Sequence, residues 1–123
     1  MSKSIRGILK KNKNFTINGS LWIECNGEGL FGPGPAELLE RINDTGSISQ
    51  AAKEMQMSYK KAWEIINALN TQAARPFVVT QTGGPTGGGS IITAEAKEMI
   101  AWYRLLRARF KAFLAKETER LSL

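Results

Sequence analysis

The stretch GSISQAAKEMQMSYKKAWEIINALN, residues 46–70, is the most informative part of the sequence because it contains two short amphipathic segments separated by a turn. Ser49 is expected to cap a helix that starts at Gln50, and Ser58 to cap the next one, since a serine hydroxyl accepts a backbone N–H that the first turn leaves unpaired. The second segment spaces its apolar residues by three and four, which is typical of a helix with one buried face; they are Ala62, Ile65, Ile66 and Leu69. The pattern predicts a helix-turn-helix, with an ordinary helical hairpin as the alternative.

The turn between these two helices contains one residue that argues against the motif. A tight turn of this kind favours glycine, which adopts positive φ without strain, but the chain has Gln56 there. Either Gln56 adopts the left-handed conformation or the turn has another shape. If the motif holds, the amino-terminal end of the second helix points outward, which is how such helices enter a DNA major groove.

Two strands and a tight turn are predicted before this motif. Apolar residues occupy odd positions from Phe15 to Cys25, and that alternation is typical of a half-buried strand. Asn26-Gly27 favours a two-residue hairpin turn, after which Leu30-Phe31 forms a short second strand. Trp22 lies on the polar face, where it either packs against a partner subunit or a second helix, or stays a partly covered surface aromatic.

A first helix is expected from Pro35, at the first helical position, to about Asp44. Its apolar side chains are Ala36, Leu38, Leu39 and Ile42. Gly46 suits the left-handed position just past its end. This helix is expected to pack across the two that follow and to complete a three-helix core.

A glycine-rich segment, GGPTGGG at residues 83–89, lies between two predicted strands, residues 77–82 and 90–93. Five glycines in seven positions exclude a helix and allow the backbone to approach another molecule closely. A nucleotide-binding P-loop is not supported, because its Gly-Lys-Ser/Thr ending is missing. The segment is interpreted as the β-hairpin wing of a winged helix, with a flexible hairpin tip as the alternative.

A long carboxy-terminal helix is predicted over residues 94–121, with Thr93 as its cap. Its apolar residues recur at a 3.5-residue period, which indicates a seam between two helices. The stripe is wider than one small domain needs, so it favours a homodimer over packing within the domain. The predicted dimer interface consists of Trp22, Met99, Trp102, Tyr103, Leu106, Phe110 and Phe113. The predicted organisation is a basic arm at 1–14, a winged helix-turn-helix domain at 15–93 and a dimerisation helix at 94–121.

The charge of the chain favours a polyanionic partner. The 123 residues carry a formal net charge of +6, with a pI near 9.7. Residues 1–13 hold five basic and no acidic residues, whereas residues 36–70 hold four basic and five acidic ones. Contacts to DNA phosphates must therefore come from the placement of individual side chains, from the amino-terminal arm and from the wing. The arm is either a solvated chain end or a segment that lies on DNA or across a partner subunit.

The composition argues against catalysis and metal binding. The chain has no histidine and a single cysteine, Cys25, on the apolar face of the predicted strand, where it is interpreted as a core residue. One cysteine excludes an internal disulfide and fits a reducing cytoplasm. No stretch reaches the roughly 18 apolar residues of a membrane span, and the basic start lacks the apolar core of a signal peptide. We expect a cytoplasmic protein without enzyme activity, cofactor, metal or membrane partner.

Several of these segments resemble the amino-terminal winged helix-turn-helix domain of the molybdate-responsive regulator ModE. The resemblance is carried by GSIS at 46–49, AAK at 51–53, MSYKKAW at 57–63 and the glycine run at 83–89. It covers about residues 15–115, and a more distant likeness to LysR-type DNA-binding domains follows the same stretch. The chain departs from the ModE pattern in the wing. Where the family usually carries Arg or Lys, this chain has Thr80, Gln81, Thr82 and Thr86.

The resulting hypothesis is a homodimeric regulator that binds specific sequences of double-stranded DNA, with residues 58–70 in the major groove and the wing on the flanking groove. The predicted DNA contacts are Ser47, Ser49, Gln50, Ser58, Tyr59, Lys60, Lys61, Glu64, Asn67, Thr82, Gly83, Gly84, Thr86 and Gly87. The start of the second motif helix is assigned to base edges and phosphates, and the start of the first to backbone phosphates. Trp63 either wedges against the DNA backbone or completes the core.

Two other functions compete with this one. The first is a winged-helix module that binds proteins without specific DNA recognition, which the neutral wing and the acidic balance of residues 36–70 favour. The second is a small-molecule sensor. Longer ModE members carry oxyanion-binding domains after the winged helix, whereas this chain ends at Leu123 without a counterpart. A molybdate site within this chain is therefore not expected, and regulation of molybdate uptake is an expectation from the resemblance alone.

Overall fold

A computed structural model describes residue 5, residues 7–81 and residues 89–121. Its helices are α1 (Pro33–Thr45), α2 (Ile48–Glu54), α3 (Tyr59–Gln72) and α4 (Ala94–Leu121). Its strands are β1 (Ile23–Cys25), β2 (Glu28–Phe31), β3 (Val78–Gln81) and β4 (Gly89–Ile92), which form two antiparallel hairpins. The predicted α+β class is confirmed, with a three-helix core, a hairpin before it, a hairpin wing after it and a long final helix.

The chain forms two compact units. The first, here called the winged-helix unit, is Trp22–Tyr103. The second, the terminal unit, joins Met1–Leu21 with Arg104–Leu123. The predicted ranges 1–14, 15–93 and 94–121 follow chain order and do not coincide with these units. The two units are described separately below.

Helix α1 begins two residues before the predicted start. Pro33 occupies its first turn after Gly32 as N-cap, and Pro35 fits the same turn because the N–H groups there have no partner within the helix. The predicted end is confirmed at Gly46, which has φ +70° and donates its N–H to the Ile42 carbonyl at 2.8 Å. A glycine accepts this left-handed conformation without a Cβ clash.

The cap of α2 is Ser47, so the assignment of that cap to Ser49 was wrong. The Ser47 hydroxyl accepts the Gln50 N–H at 3.0 Å, and the Ser47 backbone is extended with φ −145°. Since α1 already ends at Gly46, the chain re-enters a helix at Ile48, and Ser49 falls inside the first turn. The turn after α2 keeps its usual shape, because Gln56 adopts φ +56°.

Helix α3 has the predicted cap and carries the wing at its other end. The Ser58 hydroxyl accepts the Lys61 N–H at 3.0 Å, which confirms that prediction. Near the end of the helix, the Asn70 amide oxygen accepts the Phe77 N–H at 2.8 Å, and its NH2 group donates to the Val78 carbonyl at 3.1 Å. The Asn70 side chain thus ties β3 to α3, which fixes where the wing starts.

The first hairpin is shorter than predicted. Asn26 and Gly27 have φ of +53° and +83°, so the predicted turn is confirmed. However, β1 covers only Ile23–Cys25, and the expected strand over residues 15–22 is wrong. Its partner β2 has only four residues, so a longer β1 has no backbone hydrogen-bond partner. Alternation alone does not extend a strand past its partner.

The wing hairpin is anchored to the helix-turn-helix at its base. Strands β3 and β4 pair from Val78↔Ile92 to Gln81↔Gly89. Strand β3 begins one residue after its predicted start, whereas β4 begins one residue before its predicted start and ends one residue before its predicted end. The Ser90 N–H donates to the Gly46 carbonyl at 2.9 Å. A Cβ at Gly89 would lie 3.2 Å from the same carbonyl oxygen, so glycine allows this close approach. Of the predicted wing segment, residues 83–89, Gly89 belongs to β4 and residues 83–88 lie outside the described residues.

The core of the winged-helix unit combines aliphatic side chains from α1, α2 and α3 with an aromatic cluster. Phe31 packs edge-to-face on Tyr103 at 5.3 Å between ring centroids and on Phe77 at 6.5 Å. Thr93 caps α4 as predicted, because its hydroxyl accepts the Ala96 N–H at 3.2 Å. The buried apolar residues are Phe31, Ala36, Leu38, Leu39, Ile42, Ile48, Ala51, Ala52, Ala62, Ile66, Leu69, Val78, Ile92, Ala96, Ile100 and Tyr103.

Candidate nucleic-acid interface

The starts of α2 and α3 and the base of the wing surround one cleft of about 240 Å³. We call it the recognition cleft. Its lining residues are Gly46, Ser47, Ile48, Ser49, Tyr59, Trp63, Thr80, Gln81, Gly89 and Ser90. The structure therefore brings together Ser47, Ser49 and Tyr59, three residues that the sequence analysis assigned to DNA contacts from separate segments.

Three hydrogen bonds hold the walls of this cleft in place. The two cap hydroxyls, Ser47 and Ser58, each accept a backbone N–H of their own helix. The bond from Ser90 to Gly46 joins the wing to the turn between α1 and α2. In both caps the serine oxygen acts as an acceptor, so its O–H still has a proton to donate. A phosphate oxygen is a suitable acceptor for such a donor.

Tyr59 and Trp63 form the aromatic side of the recognition cleft. The Tyr59 side chain is 54% exposed, and its ring meets Trp63 edge-to-face at 6.2 Å between centroids. Trp63 is half-buried and lines the cleft. Trp63 therefore fits neither predicted role fully. It is partly covered, and its ring contacts Tyr59, which is exposed at the surface.

Three polar residues of α3 form an exposed stripe. Lys60, Glu64 and Asn67 are all exposed, and their spacing of four and three puts them on one face of the helix. These three side chains provide a cation, a carboxylate and an amide, which are the groups that read guanine, cytosine and adenine edges in a major groove. This stripe and the recognition cleft both include exposed side chains of α3.

Lys61 lies on a different side of α3 from Tyr59. Together with Glu64 it lines a second groove of about 430 Å³, which faces the first hairpin and the start of α1. Trp22 lines the same groove, is 55% exposed, and donates its indole N–H to the Glu24 carboxylate at 3.0 Å. The predicted set of α3 residues is therefore divided between two surfaces.

One cation of the three-helix core, Arg41, is engaged by carboxylates of the same chain. Arg41 lies between two carboxylates, with Nε 2.8 Å from Glu37 and a guanidinium N–H 3.0 Å from Glu54. The hydrogen bonds to Glu37 and then to Glu54 raise the pKa of Arg41. The guanidinium thus links α1 to α2 instead of facing a ligand.

Two residues of the cleft, Thr80 and Gln81, were not among the predicted DNA contacts. They end β3 directly before the glycine-rich segment, and this position in the sequence was the available signal for them. The wing residues that were predicted, Thr82, Gly83, Gly84, Thr86 and Gly87, lie outside the described residues.

The dimer prediction needs one correction. Tyr103 is 1% exposed and packs on Phe31 within its own chain, so its side chain belongs to the core and was wrongly assigned to an interface. The sequence pattern does not separate Tyr103 from the interface residues, because Tyr103 belongs to the same apolar stripe of α4. Of the other predicted interface residues, Trp22, Trp102 and Phe113 are exposed, and Met99, Leu106 and Phe110 are half-buried.

The described part of the chain contains no candidate metal cluster and no candidate membrane-spanning helix. Among those residues, no three His, Cys, Asp or Glu side chains come close enough together to hold a metal ion. Within residues 5, 7–81 and 89–121, no helix combines the length and apolarity needed to cross a membrane.

The fold and this interface define a winged helix-turn-helix protein, and comparison with known proteins refines that class. No protein-family model matches the chain. It is 41% identical over 85 residues to the molybdenum transport protein ModE of Azotobacter vinelandii, covering 69% of this chain and 32% of that protein. It is 39% identical over 92 residues to the transcriptional regulator ModE of Haemophilus influenzae, covering 74% and 36%. It is 42% identical over 82 residues to the DNA-binding transcriptional dual regulator ModE of Escherichia coli K12, covering 66% and 31%.

The chain therefore contains a ModE-like winged helix-turn-helix domain, and the resemblance found in the sequence is confirmed. The chain spans about a third of the length of the curated relatives it matches.

Proposed function

We propose that this protein is a transcriptional regulator that binds specific sequences of duplex DNA as a homodimer. Two of the relatives are named as transcriptional regulators, and one of these names includes DNA binding. The observation that carries the proposal is the exposed start of α3. Its stripe of Lys60, Glu64 and Asn67 stands next to a cleft lined by Tyr59, Ser47 and Ser49.

The chemistry of this surface supports a division of roles. Lys60 suits guanine O6 and N7, Asn67 suits adenine N6 and N7, and Glu64 accepts a hydrogen bond from cytosine N4. The hydroxyls of Ser47, Ser49 and Tyr59 can donate to phosphate oxygens, which positions the helix without reading sequence. In this proposal the wing backbone at residues 83–89 lies along the flanking groove.

The homodimer rests on exposed apolar side chains of α4 and the first hairpin. Trp22, Trp102 and Phe113 each expose about half of their surface, which is costly in water and favourable in an interface. A two-fold protein places its two α3 helices on half-sites about 34 Å apart or a multiple of that distance. The cytoplasmic location and the absence of a molybdate site in these 123 residues stay predictions.

Selection of binding sites from random duplex DNA tests the proposal. Lys60→Gln with Asn67→Ala removes the two side chains expected to read bases, whereas Lys97→Gln removes an exposed lysine of α4 that does not line the recognition cleft. We expect a palindromic consensus for the parent and the Lys97 variant. The double variant should lose preference by about 1–3 kcal/mol for each contacted base.

A contrary result would favour protein partners over DNA. If the parent binds all duplexes equally and the double variant has the same affinity, α3 does not read DNA. The winged helix would then be a protein-interaction module, which the excess of acidic residues in residues 36–70 favours.

A further inference from the structure

Positive charge is distributed very unevenly between the two units. By sequence, the terminal unit holds eleven of the seventeen basic residues and two of the eleven acidic ones. The winged-helix unit holds six basic and nine acidic residues. The unit that has the fold of a DNA reader therefore carries a net negative charge, and the positive charge of the protein lies in the other unit.

The terminal unit has a defined structure around this charge. The Ile17 N–H donates to the Thr118 hydroxyl at 2.9 Å, and Thr118 in turn donates to the Leu114 carbonyl at 2.8 Å. A Cβ at Gly19 would lie 3.4 Å from the Phe110 ring, so the backbone passes close to the helix there. These contacts hold the segment that follows the arm against the second half of α4.

The arm itself forms a concave surface of about 510 Å³, here called the lysine surface. Three exposed lysines line it, Lys10, Lys11 and Lys13, together with Ile5, Gly7, Leu9, Asn14, Phe15 and Leu121. None of the described residues that line it is acidic. Three like charges on one concave surface repel one another, and a polyanion removes that repulsion.

The winged-helix unit holds fewer basic than acidic residues, and not all of its cations are available to a duplex. Its Arg41 is engaged by Glu37 and Glu54, and residues 77–93, which contain the wing, include no Lys or Arg. Binding to the phosphate backbone derives its affinity from Lys and Arg contacts that release counterions. A net negative unit therefore gains from a second source of that affinity elsewhere in the protein.

We propose that the lysine surface binds the sugar–phosphate backbone of duplex DNA and supplies affinity that is independent of sequence, while α3 supplies the preference. This inference rests on the proposed function. Duplex DNA is favoured over an anionic membrane because the same chain carries the α3 surface, whose own unit has a net negative charge.

The test compares two variants that lose the same charge. Lys10→Gln with Lys13→Gln alters the lysine surface, and Arg75→Gln with Lys97→Gln removes two exposed charges from the winged-helix unit. Each is titrated with the selected duplex and with a scrambled duplex at several salt concentrations. The lysine-surface variant should bind both duplexes more weakly, by roughly tenfold per lost phosphate contact at 0.1 M salt, with a log-log salt slope less negative by about 0.9 per contact. The ratio between the two duplexes should stay that of the parent.

Two results would overturn this inference without touching the proposed function. In the first, the lysine-surface variant matches the Arg75 and Lys97 control in affinity and slope while the parent still prefers the selected duplex. In the second, the lysine-surface variant keeps full DNA affinity but loses binding to vesicles that contain phosphatidylserine, which would assign the surface to a membrane. Loss of the parent's sequence preference would instead count against the proposed function.

Discussion

The two units of this protein differ in what holds them together. All of the buried apolar residues belong to the winged-helix unit, whereas none of the described residues in the terminal unit is buried. The terminal unit instead exposes apolar side chains such as Leu105 and Phe113, and it holds most of the basic residues. The buried core that stabilises the fold therefore lies in the winged-helix unit, while the terminal unit presents groups suited to contacts with other molecules.

The largest expected effect tests that difference with a matched pair of leucines. Leu39→Ala empties a fully buried site in the winged-helix unit and should lower the free energy of unfolding by about 2–5 kcal/mol, because it leaves a cavity. Leu105→Ala in the terminal unit, where the side chain is 63% exposed, should change it by less than about 0.5 kcal/mol. Urea unfolding at low protein concentration measures both, and equal losses would abolish the distinction between the units.

The second effect concerns the exposed aromatic residues. Phe113→Ser should weaken self-association at least about tenfold, because burying a phenylalanine contributes roughly 1.5–3 kcal/mol. Tyr59→Ser removes an aromatic residue that is similarly exposed but lies on α3, and it should leave self-association unchanged. Sedimentation equilibrium at several concentrations measures the dissociation constant. A parent that is monomeric throughout would contradict the proposed dimer.

The third effect concerns which serine caps α2 in the winged-helix unit. Ser47→Ala removes the cap of α2 and should destabilise the protein by about 1 kcal/mol. Ser49 is the second residue of α2 and is exposed. Ser49→Ala should therefore change stability by a few tenths of a kcal/mol at most. Thermal unfolding of both variants under one condition decides which serine is the cap. Equal losses would restore Ser49 to that role.

The smallest effect concerns the turn before α3. Gln56→Gly should stabilise the protein by about 0.5–1 kcal/mol, because glycine adopts the observed φ of +56° without the steric cost of a Cβ atom. Gln50→Gly, in the first half of α2, should destabilise it by about 0.5–1 kcal/mol. The same unfolding assay serves as the measurement. A Gln56→Gly variant less stable than the parent would show that the glutamine side chain contributes at this turn.

Local chemistry made much of the winged-helix unit predictable. Asn26-Gly27, Gly46, Ser58 and Thr93 were all placed correctly, because each forms a turn or cap that depends on the residue itself and its near neighbours. The strand over residues 15–22 failed, since a strand also depends on the length of its partner. Ser47 was missed because Gly46, Ser47 and Ser49 lie within four residues and each offers a plausible helix start.

The sequence predicted which types of residue form the candidate interface better than it predicted which of them lie together in the structure. Tyr59, Lys60 and Lys61 were predicted to act together, yet only Tyr59 lines the recognition cleft. Lys61 lines the groove beside Trp22. Thr80 and Gln81 entered the cleft through the hairpin bond to Gly46, a tertiary contact that no local pattern contains. The grouping of charge into one unit likewise became visible only when the two chain ends were seen to lie together.

Backbone amide chemical shifts, recorded while the protein is titrated with the selected duplex and with a scrambled one, test the central claim most directly. The selected duplex should shift amides in residues 58–67 and in residues 10–13, since α3 reads the bases and the lysine surface holds the backbone. The scrambled duplex should shift residues 10–13 and leave residues 58–67 nearly unchanged. Identical shifts with both duplexes, with none in residues 58–67, would contradict the account.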